Sequence, residues 1–382
     1  MTCVLVGYCL ERRRSDAHVR RMLIWIGRLG AGLLVLVLLA VLAMALAPRF
    51  LDRIYYRGPA SDHFDGERFF NPGERPSGDR RGFSFFRFLR FAFGMDRAPW
   101  PKRVPVAQAV PPSRVEGQDM RATWIGHATV LVQTQGLNIL TDPVWSERAS
   151  PFGFMGPKRV ADAGVAFGDL PKIDVVLLSH NHYDHLDLAT LERLWKRDRP
   201  LIVTPLGNDT ILRTRGIEAV ARDWGERVAI RPGIEVIVER VHHWGSRWGA
   251  DRDRALWGGL TVTLPGGNLF FAGDTGWGDG SWTLGVAANG PHRLALIPIG
   301  AYLPRELMRG SHVGPDEAVA IFRAIGAERA LGIHWGTFQL SEEGIEAPAA
   351  ILAEEIGSAG FAADRFRTMA PGGVWEVPRL GT

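Results

Sequence analysis

The apolar pair Leu177-Leu178 runs straight into Ser179-His180-Asn181-His182-Tyr183-Asp184-His185, and this H-x-H-x-D-H run constrains the chain more than any other feature. Imidazole and carboxylate are the ligands zinc takes where thiolate is absent. Four of them within six residues at a strand end exceed what one tetrahedral ion uses, so the spacing implies two adjacent metals. With 11 His in 382 residues, three at these offsets are expected only about 0.01 times by chance, before an Asp is also required. Two ions need about three further ligands. Later strand ends offer them at His242-His243-Trp244, Gly273-Asp274-Thr275 and Ile333-His334-Trp335. Alternation along a strand lets one of His242 and His243 face the metals, and periodicity does not choose between them.

The remaining composition narrows the function classes. At 46% hydrophobic and 23% charged, the chain has enough apolar material for a sizeable core, which excludes disorder over most of its length. Its 45 cations and 41 anions are spread along the sequence, without the basic stripe a nucleic-acid partner requires. Cys3 and Cys9 both precede the long apolar run, so the chain beyond that run has neither disulfides nor thiolate metal ligands.

That run, residues 29–47, is uncharged and about the twenty residues long that a membrane-spanning helix needs. Arg12, Arg13, Arg14, Arg20, Arg21 and Arg28 precede it, which orients residues 1–28 toward the cytoplasm and the body outside it. Ala43-Met44-Ala45 and Ala45-Leu46-Ala47 fit a signal-peptide cleavage site as the competing reading, and initiation at Met22 would leave Arg28 alone in the flank. The length of the run and Pro48 behind it favour a retained anchor. Residues 48–118 read as a Gly/Pro/Phe-rich wrap or linker with a turn at Asn71-Pro72-Gly73, and 119–382 as the catalytic domain. Within the wrap, 82–93 fits a short aromatic helix, suited either to a lipid interface or to packing on the body.

From about residue 121, β-branched runs alternate with helical ones. The pattern predicts strands over 128–134, 137–141, 173–179, 201–204, 227–230, 235–241, 260–264, 268–272, 294–299 and 330–333. It predicts helices over 188–196, 209–215, 315–325 and 347–359. This is an α/β arrangement.

H-x-H-x-D-H followed by separate His, Asp and His strand ends resembles the metallo-β-lactamase superfamily, which implies a four-layer αβ/βα sandwich with a dinuclear site. Trp124-Ile125-Gly126-His127-Ala128-Thr129, Thr141-Asp142-Pro143-Val144, Phe271-Ala272-Gly273-Asp274-Thr275-Gly276, Pro298-Ile299-Gly300-Ala301-Tyr302, His312-Val313 and Ile333-His334-Trp335-Gly336-Thr337-Phe338 look like the N-acylphosphatidylethanolamine-hydrolysing phospholipase D branch. The resemblance implies two zinc ions per chain: His180, His182 and His243 on the first, Asp184, His185 and His334 on the second, and Asp274 bridging. His243 is chosen over His242 because the family's ligand immediately precedes Trp. His182 stands where redox di-iron relatives carry a carboxylate, which argues for zinc. Asp142 would support a ligating imidazole, and His127 would orient a strand-end network rather than bind metal.

Water shared by two zincs ionises near neutrality, and the ions neutralise a phosphodiester's charge. Asp184 and His312 are the residues assigned to catalysis, with His312 and Tyr302 as substrate contacts. The leading expectation is a membrane-anchored zinc phosphodiesterase on N-acylated ethanolamine phospholipid or a small phosphodiester. A lactonase or amidase on the same centre is the alternative, and a non-catalytic binding protein the remote one. The sequence leaves the oligomeric state open.

Overall fold

The computed structural model describes residues 2–73, 87, 90, 91 and 94–381; the expected aromatic helix at 82–93 falls for the most part outside them. The chain divides into two compact units, Met1–Arg53 and Ile54–Thr382. The first is a single helix, α1 (Thr2–Leu51). Within it Arg20–Leu39, twenty residues of mean hydropathy 2.3, is long and apolar enough to cross a membrane, a length and composition that fit a signal sequence as well.

The second unit carries two seven-stranded sheets. One holds β1 (Met120–Gly126), β2 (Thr129–Thr134), β3 (Leu137–Thr141), β4 (Val175–Leu177), β5 (Leu201–Pro205) and β6 (Val220–Arg222), with β14 (Val374–Glu376) returning to pair beside β1. The other runs, in spatial order, β13 (Phe366–Arg367), β12 (Arg329–Ile333), β11 (His292–Pro298), β10 (Asn268–Phe271), β9 (Gly259–Val262), β8 (Ile234–Glu239) and β7 (Arg227–Arg231). Each sheet begins antiparallel and turns parallel at β3–β6 and at β10–β13, with helices in the crossovers except from β3 to β4, whose connection carries only the single 3-10 turn Phe167–Asp169.

Side-chain alternation builds the layers. Val130, Val132, Ile139, Val175 and Val203 point into the core shared by the two sheets, where they meet Val236, Val262 and Phe270. Their neighbours Leu131, Leu140, Val176 and Ile202 point the other way, onto Leu191 and Leu194 of α2 (Leu188–Asp198) and Ile211 and Leu212 of α3 (Asn208–Arg213). On the second sheet α4 (Trp282–Ala288), the single turn α5 (Arg305–Met308), α6 (Pro315–Ala324) and α7 (Ala347–Ser358) complete the αβ/βα sandwich.

Local signals end the elements. Asp187 caps α2, its Oδ1 accepting from the N–H groups of Ala189 and Thr190. The Glu317 carboxylate accepts from Gly314 N–H at 3.3 Å ahead of Pro315 at the start of α6. The stretch before β1 is tied in too. Phe64 and Phe69 are buried in the intersheet core, and Phe69 N–H donates to Asp253 O at 2.8 Å.

Candidate metal centre

The chemistry-bearing residues all follow the C-terminal ends of strands: His127 after β1, Asp142 after β3, His180 to His185 after β4, His243 after β8, Asp274 after β10 and His334 after β12. Three of them hold positive φ, His127 at 54°, Asp142 at 25° and His334 at 64°, backbone that β-strand continuation would forbid and that the surrounding packing enforces. Gly273, at φ 61°, lets the β10 end pass so near β4 that a Cβ there would lie 2.4 Å from Ser179 Cβ.

Ligand atoms gather in overlapping groups, two of which bring together four residues each. His180, His182, His243 and Asp274 form one, and Asp184, His185 and His334, joined by His127, form the other, all atoms of a group within 4.8 Å of one another. Asp274 spans them: its Oδ2 lies 3.9 Å from His180 Nε2, 3.7 Å from His243 Nε2 and 3.1 Å from His185 Nε2, and its Oδ1 lies 3.2 Å from His334 Nε2. Tetrahedral zinc with bonds of about 2.0–2.1 Å sets neighbouring ligands roughly 3.3 Å apart, so these separations suit a pair of such ions. His182 enters through Nδ1, 2.8 Å from His180 Nε2 and 3.4 Å from His243 Nε2.

The donor set also fits a cation by its leftover valence. His185 Nε2, His334 Nε2 and Asp274 Oδ1 are buried and make no hydrogen bond to the protein. Burial drives the imidazoles of His180 and His243 well below their ordinary pKa and that of His182 down to about 3, so they are neutral lone-pair donors. For Asp184 and Asp274, burial pushes the carboxyl pKa up, yet the surrounding imidazoles hold both well below the usual carboxylate range. Burial likewise opposes charge on His185 and His334, and the two carboxylates overcome it, raising His334 to about 9. Two buried anions thus demand positive charge, which a bound cation would supply in place of protons.

Outer contacts fix the tautomers. The Asp142 carboxylate accepts from Ser179 N–H at 2.8 Å, Ser179 Oγ–H at 2.5 Å and His185 Nδ1–H at 2.6 Å, and Ser179 Oγ in turn accepts from His180 Nδ1–H at 2.8 Å. His243 Nδ1–H donates to Ser311 O at 2.9 Å. His127 Nε2 lies 3.0 Å from Asp184 Oδ2, and its ring centroid is 4.0 Å from that of His334. His312 stands beside the cluster with Nδ1 3.8 Å from Asp274 Oδ2. Tyr302 is buried among the charges of Glu343, Asp316 and Arg305 rather than among the ligands, and burial raises its hydroxyl pKa to about 12.

The strand-end choice that alternation leaves open falls to His243. His242 N–H donates to Thr275 Oγ1, and its ring lies against Gly278 in a separate cavity with Trp277 and Arg305. Sequence reasoning missed Asn71, whose side-chain amide reaches across 172 positions to the carbonyl of His243 at 3.0 Å. The Asn71-Pro72-Gly73 turn signal marked the spot without its role.

Comparison with known proteins matches residues 137–335 to the β-lactamase superfamily domain. The chain is 37% identical to N-acyl-phosphatidylethanolamine-hydrolyzing phospholipase D 1 of Caenorhabditis elegans, over 67% of this chain and 75% of that protein. It is 34% identical to the mitochondrial enzyme of the same name from Saccharomyces cerevisiae over 58% of this chain, which spans about half, 48%, of the yeast protein. Among solved structures, the metallo hydrolase Igni18 of Ignicoccus hospitalis shares the fold with a TM-score of 0.53 and 20% identity, over 68% of this chain and 98% of that one.

Proposed function

We propose, from the premise that this chain belongs to the β-lactamase superfamily and within it to the branch of the N-acyl-phosphatidylethanolamine-hydrolysing phospholipases D, that it is a dinuclear zinc phosphodiesterase acting on N-acylated ethanolamine phospholipid. The chain is a metal-dependent hydrolase. The observation that carries the finer reading is the convergence of five imidazoles and two carboxylates on one buried cluster, in a chain 37% identical to a worm enzyme named for that lipid.

His180, His182 and His243 would hold one zinc, Asp184, His185 and His334 the other, with Asp274 shared. When bound, the pair lowers the pKa of water toward neutrality and neutralises charge on a phosphoryl oxygen. The protein's own groups orient and exclude. Asp142 and the Ser311 carbonyl keep His185 and His243 protonated on Nδ1, leaving Nε2 as the lone-pair face. His127 restrains Asp184 through its 3.0 Å contact. His312, buried beside Asp274 with no protein hydrogen bond at Nδ1, is the group suited to meet a phosphate oxygen or hand a proton to the departing alkoxide oxygen. In the reaction the oxygen of water joins phosphorus and the P–O bond to the N-acylethanolamine breaks, giving phosphatidic acid and the free amide alcohol. The apolar stretch Arg20–Leu39 supports an enzyme held at the membrane where such lipid resides.

The test is mass-spectrometric product identification with the full chain, zinc-loaded, on N-acylphosphatidylethanolamine vesicles. Both products are expected. An uncut lipid alongside cleavage of a soluble diester or a lactone would overturn the substrate assignment and leave the hydrolase.

A further inference from the structure

Among the described residues outside the N-terminal helix, large apolar side chains reach solvent singly except at one hairpin. Phe152, Phe154 and Met155 stand 44%, 79% and 52% exposed within four positions. The two phenyl centroids are 5.6 Å apart, so the rings form one apolar tip with no charge between Ser150 and Gly156.

The tip is presented on a braced stalk. Arg148 and Lys158 pair as an antiparallel bridge, Ala149 N–H donates to Pro157 O, and the Arg148 guanidinium donates to Gly156 O at 2.7 Å. At the root, Arg159 donates to the carbonyls of Val144 at 2.8 Å and Ser146 at 3.3 Å, and its guanidinium lies 4.8 Å from the centre of the Phe338 ring. Val160 N–H bonds Thr337 O, and the Phe338 ring meets His127 edge-on at 5.3 Å. The hairpin therefore springs from the same framework that carries the His127 side of the metal centre.

We propose that this tip is a lipid-surface probe: Phe152, Phe154 and Met155 insert between the headgroups and acyl chains of a bilayer, with Arg148 and Lys158 at headgroup level. The proposal rests on the lipid-hydrolase reading for its purpose, since an enzyme whose substrate is embedded gains from holding its centre against the surface. A second copy of the chain is the other conceivable occupant, but a stable dimer takes roughly 20–30 residues a side, and a narrow tip of three side chains falls well short. A bilayer accepts apolar side chains one at a time. The stalk's two cations, set against the single carboxylate of Glu147, match anionic headgroups.

The experiment uses the full chain with Cys3→Ser and Cys9→Ser, and a polarity-sensitive dye on Phe154→Cys, reconstituted in phosphatidylcholine/phosphatidylglycerol vesicles that contain no substrate. Insertion predicts a blue-shifted emission, strong quenching by shallow spin-labelled lipid and severalfold protection from aqueous iodide. The same dye on Glu354→Cys, exposed on α7, should show none of these. In parallel, Phe152→Ser/Phe154→Ser/Met155→Ser should raise KM for vesicle-borne lipid about tenfold or more, with kcat on a soluble diester unchanged. A dye on Phe154→Cys that stays open to iodide in vesicles would overturn the proposal, as would protection that appears without lipid as protein concentration rises, the mark of a second copy. Because the dye measurement needs no hydrolysis, its failure is separable from failure of the substrate assignment.

Discussion

Asp142→Asn isolates the contribution of a residue assigned to support a ligating imidazole rather than to hold the metal. Asparagine has nearly the same shape and tolerates the residue's positive φ of 25°, so the exchange adds little backbone strain. What changes is acceptor capacity. Three donors converge on the carboxylate, at 2.8, 2.5 and 2.6 Å, and the amide has one oxygen to offer them. If that oxygen stays with Ser179 N–H, the new NH2 faces His185 Nδ1–H, and His185 must move its proton to Nε2, which removes its ligating lone pair. If the amide turns over, His185 keeps its partner but the buried Ser179 N–H loses its own, at a cost of about 1–3 kcal/mol. The first route should weaken metal binding about 10–100-fold, or roughly 1.4–2.7 kcal/mol, whereas the second shows as lost stability, so Asp142→Ala, which leaves His185 no acceptor by either route, is measured beside it. Competition against a chromogenic chelator, with near-UV circular dichroism to verify the fold, reads this directly. Zinc affinity within twofold of the parent in both Asp142→Asn and Asp142→Ala would refute the tautomer argument.

Three further outcomes are expected. Asp274→Asn should lower the content of both metals in elemental analysis, whereas Asp184→Asn should lower chiefly one; equal and full occupancy in both would remove the bridging role. Gly273→Ala combines a left-handed backbone with a Cβ 2.4 Å from Ser179, so denaturant unfolding should show a loss of about 2–4 kcal/mol, and a loss below about 1 kcal/mol would mean that β4 yields easily. At His63 burial pushes the pKa down, but Asp223 and Asp62 push harder and raise it above 6.5. Its contribution is therefore full below that unfolded value and fades as pH rises through the folded one. The melting temperature should decline more over this range in the parent than in His63→Gln, and parallel pH profiles would exclude the linkage.

The legible parts of the fold are those whose pattern is local. β3 spans Leu137–Thr141 as its alternation predicts, and α2 and α6 agree with theirs to within two residues because Asp187 and the Pro315–Glu317 box mark their starts. Two strands that deliver ligands, β4 and β8, are shorter than their apolar runs. β4 ends at Leu177 rather than 179 because Ser179 leaves the ladder to meet Asp142, and β8 ends at Glu239 rather than 241 as the chain turns toward His243. β1, which pairs with the adjacent β2 and with β14, more than 250 residues away, escapes the pattern, and α4 carries Gly285 mid-helix. The site's ligand types are readable from strand-end spacing. Its tautomers are not, for they depend on the carbonyl of Ser311 and on Asp142, set by tertiary approach. Nor is the burial of Phe64, Phe69 and Asn71, which obey no period and pack against residues from distant parts of the chain.

The ligands divide between the two sheets: His180, His182, Asp184 and His185 leave the first, and His243, Asp274 and His334 leave the second. Neither half owns a complete set for either of these two groups, so a cation bound at either would act as a rivet through the seam of the sandwich. Chelation should then loosen the grip of one slab on the other, and a fragment carrying either slab alone would inherit only part of the centre.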